Sequence, residues 1–318
     1  MRRYGLVPWL AAEGAVTEAD ARPAIDPVGG QAVLEGVMMR AADGVGLAVR
    51  RNDGQIHAEF HPYVSLRKRV VCFGWPLLRG VVAMVESLRL GVRMLDRSVE
   101  IATGERAGRA ESLSSLGVGL LLAVALFMVL PAWVYGWTPD TWHALARAGV
   151  EGAVRLGVFV AYVVILGRQA DVASLYAYHG AEHQVIHAYE QGLGETVEAA
   201  RSQSPRHPRC GTSFLFLTAV VGIFVFAWIP RPEGLAGGMG LAWRVGAKLT
   251  LLPFVAAVSF ELIRAAGANA VGAARLWGRV ASWLSSPGQA LQGLTTRRAA
   301  DDQIEVALAA LAVARRGA

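Results

Sequence analysis

Charge is what this chain is short of. Only 18% of its 318 residues are Asp, Glu, Lys or Arg, and 54% are hydrophobic. An ordinary soluble domain carries about 25% charged residues. The apolar residues are bunched in runs, which excludes a disordered chain or a polar linker and argues against a wholly soluble globule. Cysteine is scarce as well: Cys72 and Cys210 cannot build a disulfide framework. No Gly-Lys-Ser/Thr and no G-x-G-x-x-G surrounds Gly29-Gly30, so a phosphate-cradling loop is excluded there. Aromatic and basic residues are not interleaved, which argues against a nucleic-acid partner. The net charge of +6 is modest and suits an anionic lipid surface.

The bunched residues predict four membrane spans, making the lipid bilayer the expected partner. Leu113 to Tyr135 is uncharged and covers the roughly 30 Å hydrocarbon core at about 1.5 Å per residue. Val150 to Gly167 follows, with Glu151 and Arg155 near one end, where Arg155 is expected to snorkel. Ser213 to Ile229 is short and closed by Trp228 and Pro230-Arg231-Pro232; Val245 to Ile263 has Lys248 near one end and Glu261 near the other. Basic residues concentrate in the segment between spans two and three (Arg168, Arg201, Arg206, Arg209) and in both termini. Positive residues favour the cytoplasmic side, so both termini and residues 168–212 are expected there. No apolar h-region follows Arg2-Arg3, so no signal peptide is expected.

The remainder divides by pattern. Residues 1–27 have no periodicity and read as a mobile N-terminus. Residues 28–66 read as a small cytoplasmic sheet, because Val45 to Arg50 and Gln55 to Phe60 flank Arg51-Asn52-Asp53-Gly54, a hairpin signal. Residues 67–112 form an amphipathic helical region. There Val81, Val85, Leu88, Val92 and Leu95 share a stripe that either lies in the membrane interface or packs on the spans. The spans occupy 113–263, and 264–318 form a C-terminal helical tail in which Asp301-Asp302 cap a helix bearing Ile304, Ala307, Leu308 and Leu311 on one face. The expected fold is thus mainly α, a polytopic helical membrane protein with a small β-containing N-terminal segment.

Chemistry gathers in Tyr178 to Glu190. On a helix His179 and His183 stand one turn apart on one face, with His187 and Glu190 continuing the stripe and Glu182 beside it. Histidines at this spacing can chelate one metal ion, and His179-x-x-Glu182-His183 has the H-x-x-E-H order of one class of zinc peptidases. There the glutamate serves as general base toward metal-bound water. A solvated polar helix is the alternative. Downstream, His207-Pro208-Arg209-Cys210 offers an imidazole and a thiolate three residues apart, a common half of a zinc site. The alternative for Cys210-Gly211-Thr212-Ser213 is a plain helix N-cap. Four ligands (His179, His183, His207 and Cys210) would close the coordination sphere and make the metal structural, whereas three leave room for water. Glu261 is expected to pair either with Arg264 or with an arginine elsewhere, and Glu35 and Arg40 are further candidates for the site.

Several passages resemble the YqhQ-like bacterial membrane proteins, a family of unknown function. They are Gly29 to Arg40, His179-Gly180-Ala181-Glu182-His183 with Tyr189-Glu190, His207 to Phe214, and Leu294 to Arg297 followed by Asp301 to Leu311. The resemblance covers roughly residues 28–312. It implies a multi-span inner-membrane protein labelled a predicted metal-dependent enzyme on motif grounds. It supports His179, Glu182, His183, Glu190, His207 and Cys210, and does not include His187. Ala199 stands after Thr196-Val197-Glu198, where the family tends to have Asn; Glu198 remains a candidate ligand or supporting group. The expected cofactor is a divalent metal, zinc first. The expected function is metal-dependent hydrolysis, with a non-enzymatic membrane scaffold or assembly factor as the alternative.

Overall fold

The structure is a computed structural model that describes residues 28–106, 108–208, 210–230, 237–266 and 286–316. The expected mobile segment 1–27 lies outside the described residues. Strands β1 (Gly29–Val33), β2 (Gly36–Arg40), β3 (Gly44–Arg50) and β4 (Ile56–Pro62) form an antiparallel sheet in sequence order. Gly54 turns the β3–β4 hairpin at φ +81°, a conformation that glycine adopts without steric cost. Successive side chains point to opposite faces, and both faces of this sheet are covered.

One face carries α1 (Leu78–Thr103), which packs Leu90, Met94, Ile101 and Ala102 against Val33, Met38, Val45, Leu47 and Val49. The stripe of Val81, Val85, Leu88, Val92 and Leu95 is on the opposite side of α1. Val85, Leu88 and Leu95 are 44%, 67% and 44% exposed. The sheet therefore claims the narrower apolar face of this helix and leaves the broader one bare. The other sheet face carries α9 (Asp301–Arg316), whose Ile304, Ala307, Ala310 and Leu311 meet Val37, Met39 and Ala48. Gly46 lies against the Ala310 carbonyl, where a Cβ would come within 2.2 Å. The C-terminal helix is thus a layer of the N-terminal domain rather than a tail.

Three described helices are long and apolar enough to cross a membrane: Ala110–Tyr135, Ala144–Leu166 and Gly237–Ala265. They correspond to α2 (Arg109–Val124, continued through a π-helical turn Ala125–Val129 and Leu130–Tyr135), α3 (Ala144–Leu166) and α7 (Gly237–Ala266). The remaining expected span is α6 (Gly211–Ala227), which has 17 residues and falls just short of the usual length. Between α3 and α6 lie α4 (Ala170–Glu190) and the short α5 (Val197–Arg201). A further helix, α8, covers 286–295.

The second span starts earlier than its apolar run suggests, and this changes the role of its charges. Arg155 does not snorkel; its side chain is 11% exposed and bonds to Glu151 at 3.1 Å and to the Phe127 carbonyl at 2.9 Å. Phe127 lies in the π-helical turn of α2, four residues before Pro131, which has no N–H to donate to its carbonyl. Glu151 in turn pairs with Arg244 at 2.8 Å and with Lys248, both from α7. One buried carboxylate thus ties α3 to α7 through two cations and steadies Arg155, which reaches from α3 to α2.

Candidate metal centre

α4 continues from α3 through a sharp turn at 167–169, with Asp171 in its first turn favouring the helix dipole. It contains no proline. One face, with Tyr178, Ala181, Val185, Ile186 and Ala188, enters the core shared with the sheet and α9. Small residues let neighbours approach closely: a Cβ on Gly180 would come within 1.7 Å of the Arg297 carbonyl. The other face presents His179, Glu182 and His183, as 3.6 residues per turn demands.

Cys210, the N-cap of α6, arrives opposite these histidines. Its Sγ lies 3.3 Å from His179 Nε2 and 3.2 Å from Thr212 Oγ1. The ligand atoms of His179, His183 and Cys210 all lie within 4.8 Å of one another. Both imidazoles are held from behind. His179 Nδ1 donates to the Thr295 carbonyl at 2.9 Å, and His183 Nδ1 donates to the Pro205 carbonyl at 2.6 Å. This fixes the tautomer and aims each Nε2 into the cluster, the usual backing of a metal-bound histidine.

Glu182 is 5% exposed, with Oε2 3.9 Å from His179 Nε2 and 3.8 Å from His183 Nε2. Burial pushes its carboxyl above the usual range, offset in part by the neighbouring imidazoles and the Gly30 amide, which donates to it. A Cβ on Gly30 would come within 2.7 Å of the Glu182 side chain, so glycine is needed for β1 to reach the carboxylate. Burial also holds His183 and His207 below the ordinary histidine range, so both favour the neutral, ligating form.

The remaining candidates separate. His207 is 5% exposed and lies one ring further out, its centroid 5.7 Å from that of His183, with Nε2 3.4 Å from Glu190. His187 donates Nε2 to the Arg206 carbonyl and stacks near His207 at 4.6 Å. Glu35 accepts from Ser174 and Tyr178, which precede Glu182 at steps of four along α4, and so joins the sheet to that helix. Arg40 pairs with Glu86 of α1 at 3.3 Å and stacks on Tyr63. Glu261 pairs with Arg79 and, at 3.8 Å, with Arg264; both expected partners are used. Glu198 is exposed on α5. Arg209 lies outside them.

Two glutamines were not anticipated. Gln292 of α8 is fully buried; it accepts from the His207 amide and donates to the His207 carbonyl, both at 2.8 Å. Gln184 is likewise buried and links the Ala200 carbonyl to the Ala299 amide. Gln292 stands in no charged or metal-type motif, and Gln184, though it follows His183 directly, is a neutral amide off the histidine stripe, so spacing gives no signal for either. Gly30 and Gly180 do carry a signal: glycines inside motif segments mark close approach.

The family model described as "Protein of unknown function (DUF1385)" matches residues 75–316. A relative named "Uncharacterized protein YqhQ", from Bacillus subtilis (strain 168), is 30% identical over 303 residues, covering 88% of this chain and 89% of its own length. No solved structure gives a significant match. The match extends through both histidine-bearing segments and residues 295–299, which back α4, as the motifs led one to expect, and the chain belongs to the YqhQ-like family of unknown function.

Proposed function

We propose that this protein is a metalloprotein of the bacterial inner membrane that holds zinc on its cytoplasmic side with His179, His183 and Cys210. The best-supported reaction class is metal-assisted hydrolysis of a membrane-proximal substrate. The observation that carries this reading is the convergence of three soft or borderline donors within 4.8 Å, with both imidazoles aimed by backbone carbonyls. A His2Cys set suits zinc and leaves a fourth position for water. A bound zinc ion would supply Lewis acidity and acidify that water to a pKa of about 7. Glu182, buried beside both Nε2 atoms, is the group suited to accept the proton, and the Gly30 amide steadies its carboxylate.

His207 supports a second reading. It lies one ring from His183 and is gripped on both backbone groups by Gln292. As fourth ligand it would close the sphere, and the metal would clamp α4 to the start of α6 in a scaffold without catalysis. Its pairing with Glu190 favours the open, three-ligand site.

The test is elemental analysis of the full chain purified without chelators from metal-replete cells. One equivalent of zinc is expected, lost in His183→Ala and Cys210→Ala and kept in Glu182→Gln. A metal-free wild type rules out both readings. With zinc present, cobalt substitution separates them: a spectrum that responds to added anions indicates an open position, and one perturbed by His207→Ala indicates the closed clamp.

A further inference from the structure

The bare side of α1 is one continuous surface. Leu78, Val81, Val85, Leu88, Val92 and Leu95 follow each other at steps of three and four along it, on the side opposite the residues that grip the sheet. Ahead of the helix, Val71 is 82% exposed and Trp75 60%. Soluble surfaces rarely carry so much contiguous apolar area without a partner. Arg89 and Arg93 border the stripe, are exposed and take no side-chain partner among the described residues. Arg67, Lys68 and Arg69 stand beside Val71 in the preceding turn.

The ends of α1 fix how it lies. Its first turn meets the end of α7, where Gly80 sits against Ala257 and Phe260, Arg79 pairs with Glu261, and the Leu77 amide donates to Glu261. Its last residue, Thr103, leads through a short link to α2, which begins at Arg109. In the proposed order, with α2, α3, α6 and α7 crossing the bilayer in turn, the start of α2 and the end of α7 fall on the same side. A 26-residue helix of about 39 Å anchored at both ends to one membrane level runs along that level.

We propose that residues 66–95 are a seat on an anionic lipid leaflet. The stripe, Val71 and Trp75 enter the boundary between headgroups and acyl chains, while Arg67, Lys68, Arg69, Arg89 and Arg93 bind headgroup phosphates. A second copy of the chain is the less favourable occupant, because pairing along this seam brings Arg89 and Arg93 of two copies together. Amphipathic helices with a basic border bind interfaces in this way, and each basic residue near an anionic surface adds about fivefold in affinity. The inference does not depend on a metal in the histidine cluster.

The full chain in nanodiscs tests it, using phosphatidylcholine alone or mixed equally with phosphatidylglycerol. The emission lost in Trp75→Phe is the Trp75 signal. It is expected to be quenched by lipids brominated near the headgroup end of the acyl chain and shielded from aqueous iodide. Energy transfer to a labelled phosphatidylglycerol should show stronger binding than to labelled phosphatidylcholine. Each of Arg89→Gln and Arg93→Gln should reduce that preference about fivefold without changing the thermal transition in phosphatidylcholine. Quenching of Trp75 by iodide and not by bromolipid overturns the proposal. So does a dimer that Leu88→Glu splits, which would make the seam a contact between copies.

Discussion

At the scale of single residues, glycines and carbonyls prepare the site as much as the ligands do. Gly180→Ala drives a methyl into the Arg297 carbonyl. Overpacking against backbone costs about 1–3 kcal/mol or more, so this variant is expected to lower the thermal transition and, with metal held as proposed, to lower metal content as well, measured by calorimetry and elemental analysis. Gly30→Ala is milder, since the obstructing atom belongs to the Glu182 side chain, and should leave metal content intact while displacing the carboxylate. A separate residue governs acid stability. Glu59 accepts a bidentate bond from Arg97 at 2.8 and 2.9 Å and also meets His57 and His61. Chiefly through Arg97 its carboxyl falls from 4.5 to about 2. Because the folded value is depressed, the stabilisation is complete above the unfolded value and is lost as pH falls from about 4.5 to about 2. The stability gap between wild type and Glu59→Gln, followed by thermal unfolding in detergent, should narrow over that window. His179, His183 and Cys210 were legible because their chemistry is rare and their spacing periodic. Gln184 and Gln292 were not, because a neutral amide betrays its role only through the backbone groups it meets.

Among the elements, hydrophobic periodicity identified α1 and its apolar stripe but not the partner of each face. The sheet takes Leu90, Met94 and Ile101, and the more conspicuous row remains outside. Periodicity reports amphipathicity, and α1 is apolar on two sides. The second span shows a related limit. Its apolar run reads from Val150, yet the helix begins at Ala144, because partners on α2 and α7 satisfy its charges within the bundle. Removing the shared carboxylate leaves Arg155, Arg244 and Lys248 buried without it. Breaking a buried pair costs about 3–5 kcal/mol. Glu151→Gln should therefore lower the unfolding free energy in detergent by an amount of that order, more than Asp140→Asn, since Asp140 is 81% exposed in its pair with Arg147. The C-terminal helix makes a parallel test of the sheet: Leu311 is fully buried, and Leu311→Ala should cost about 2–5 kcal/mol, read by the same method.

For the molecule as a whole, sequence order gives little hint of which parts meet. Strand β1 touches Glu182 through Gly30, the strap at 295–299 backs α4, and α9 covers the sheet built from the first described strands. The long-range pairing of these segments has no local signal, and only the end-to-end run of matching motifs suggested that all of them serve one structure. Thr295, whose carbonyl aims His179, and Ala299, which bonds Gln184, are made after every described helix apolar enough to enter the bilayer. His179 therefore gains its backing carbonyl only after those helices have been made, whereas His183, held by the Pro205 carbonyl, is aimed earlier. A metal held as proposed would thus find its second imidazole aimed only once the chain has been made past Thr295.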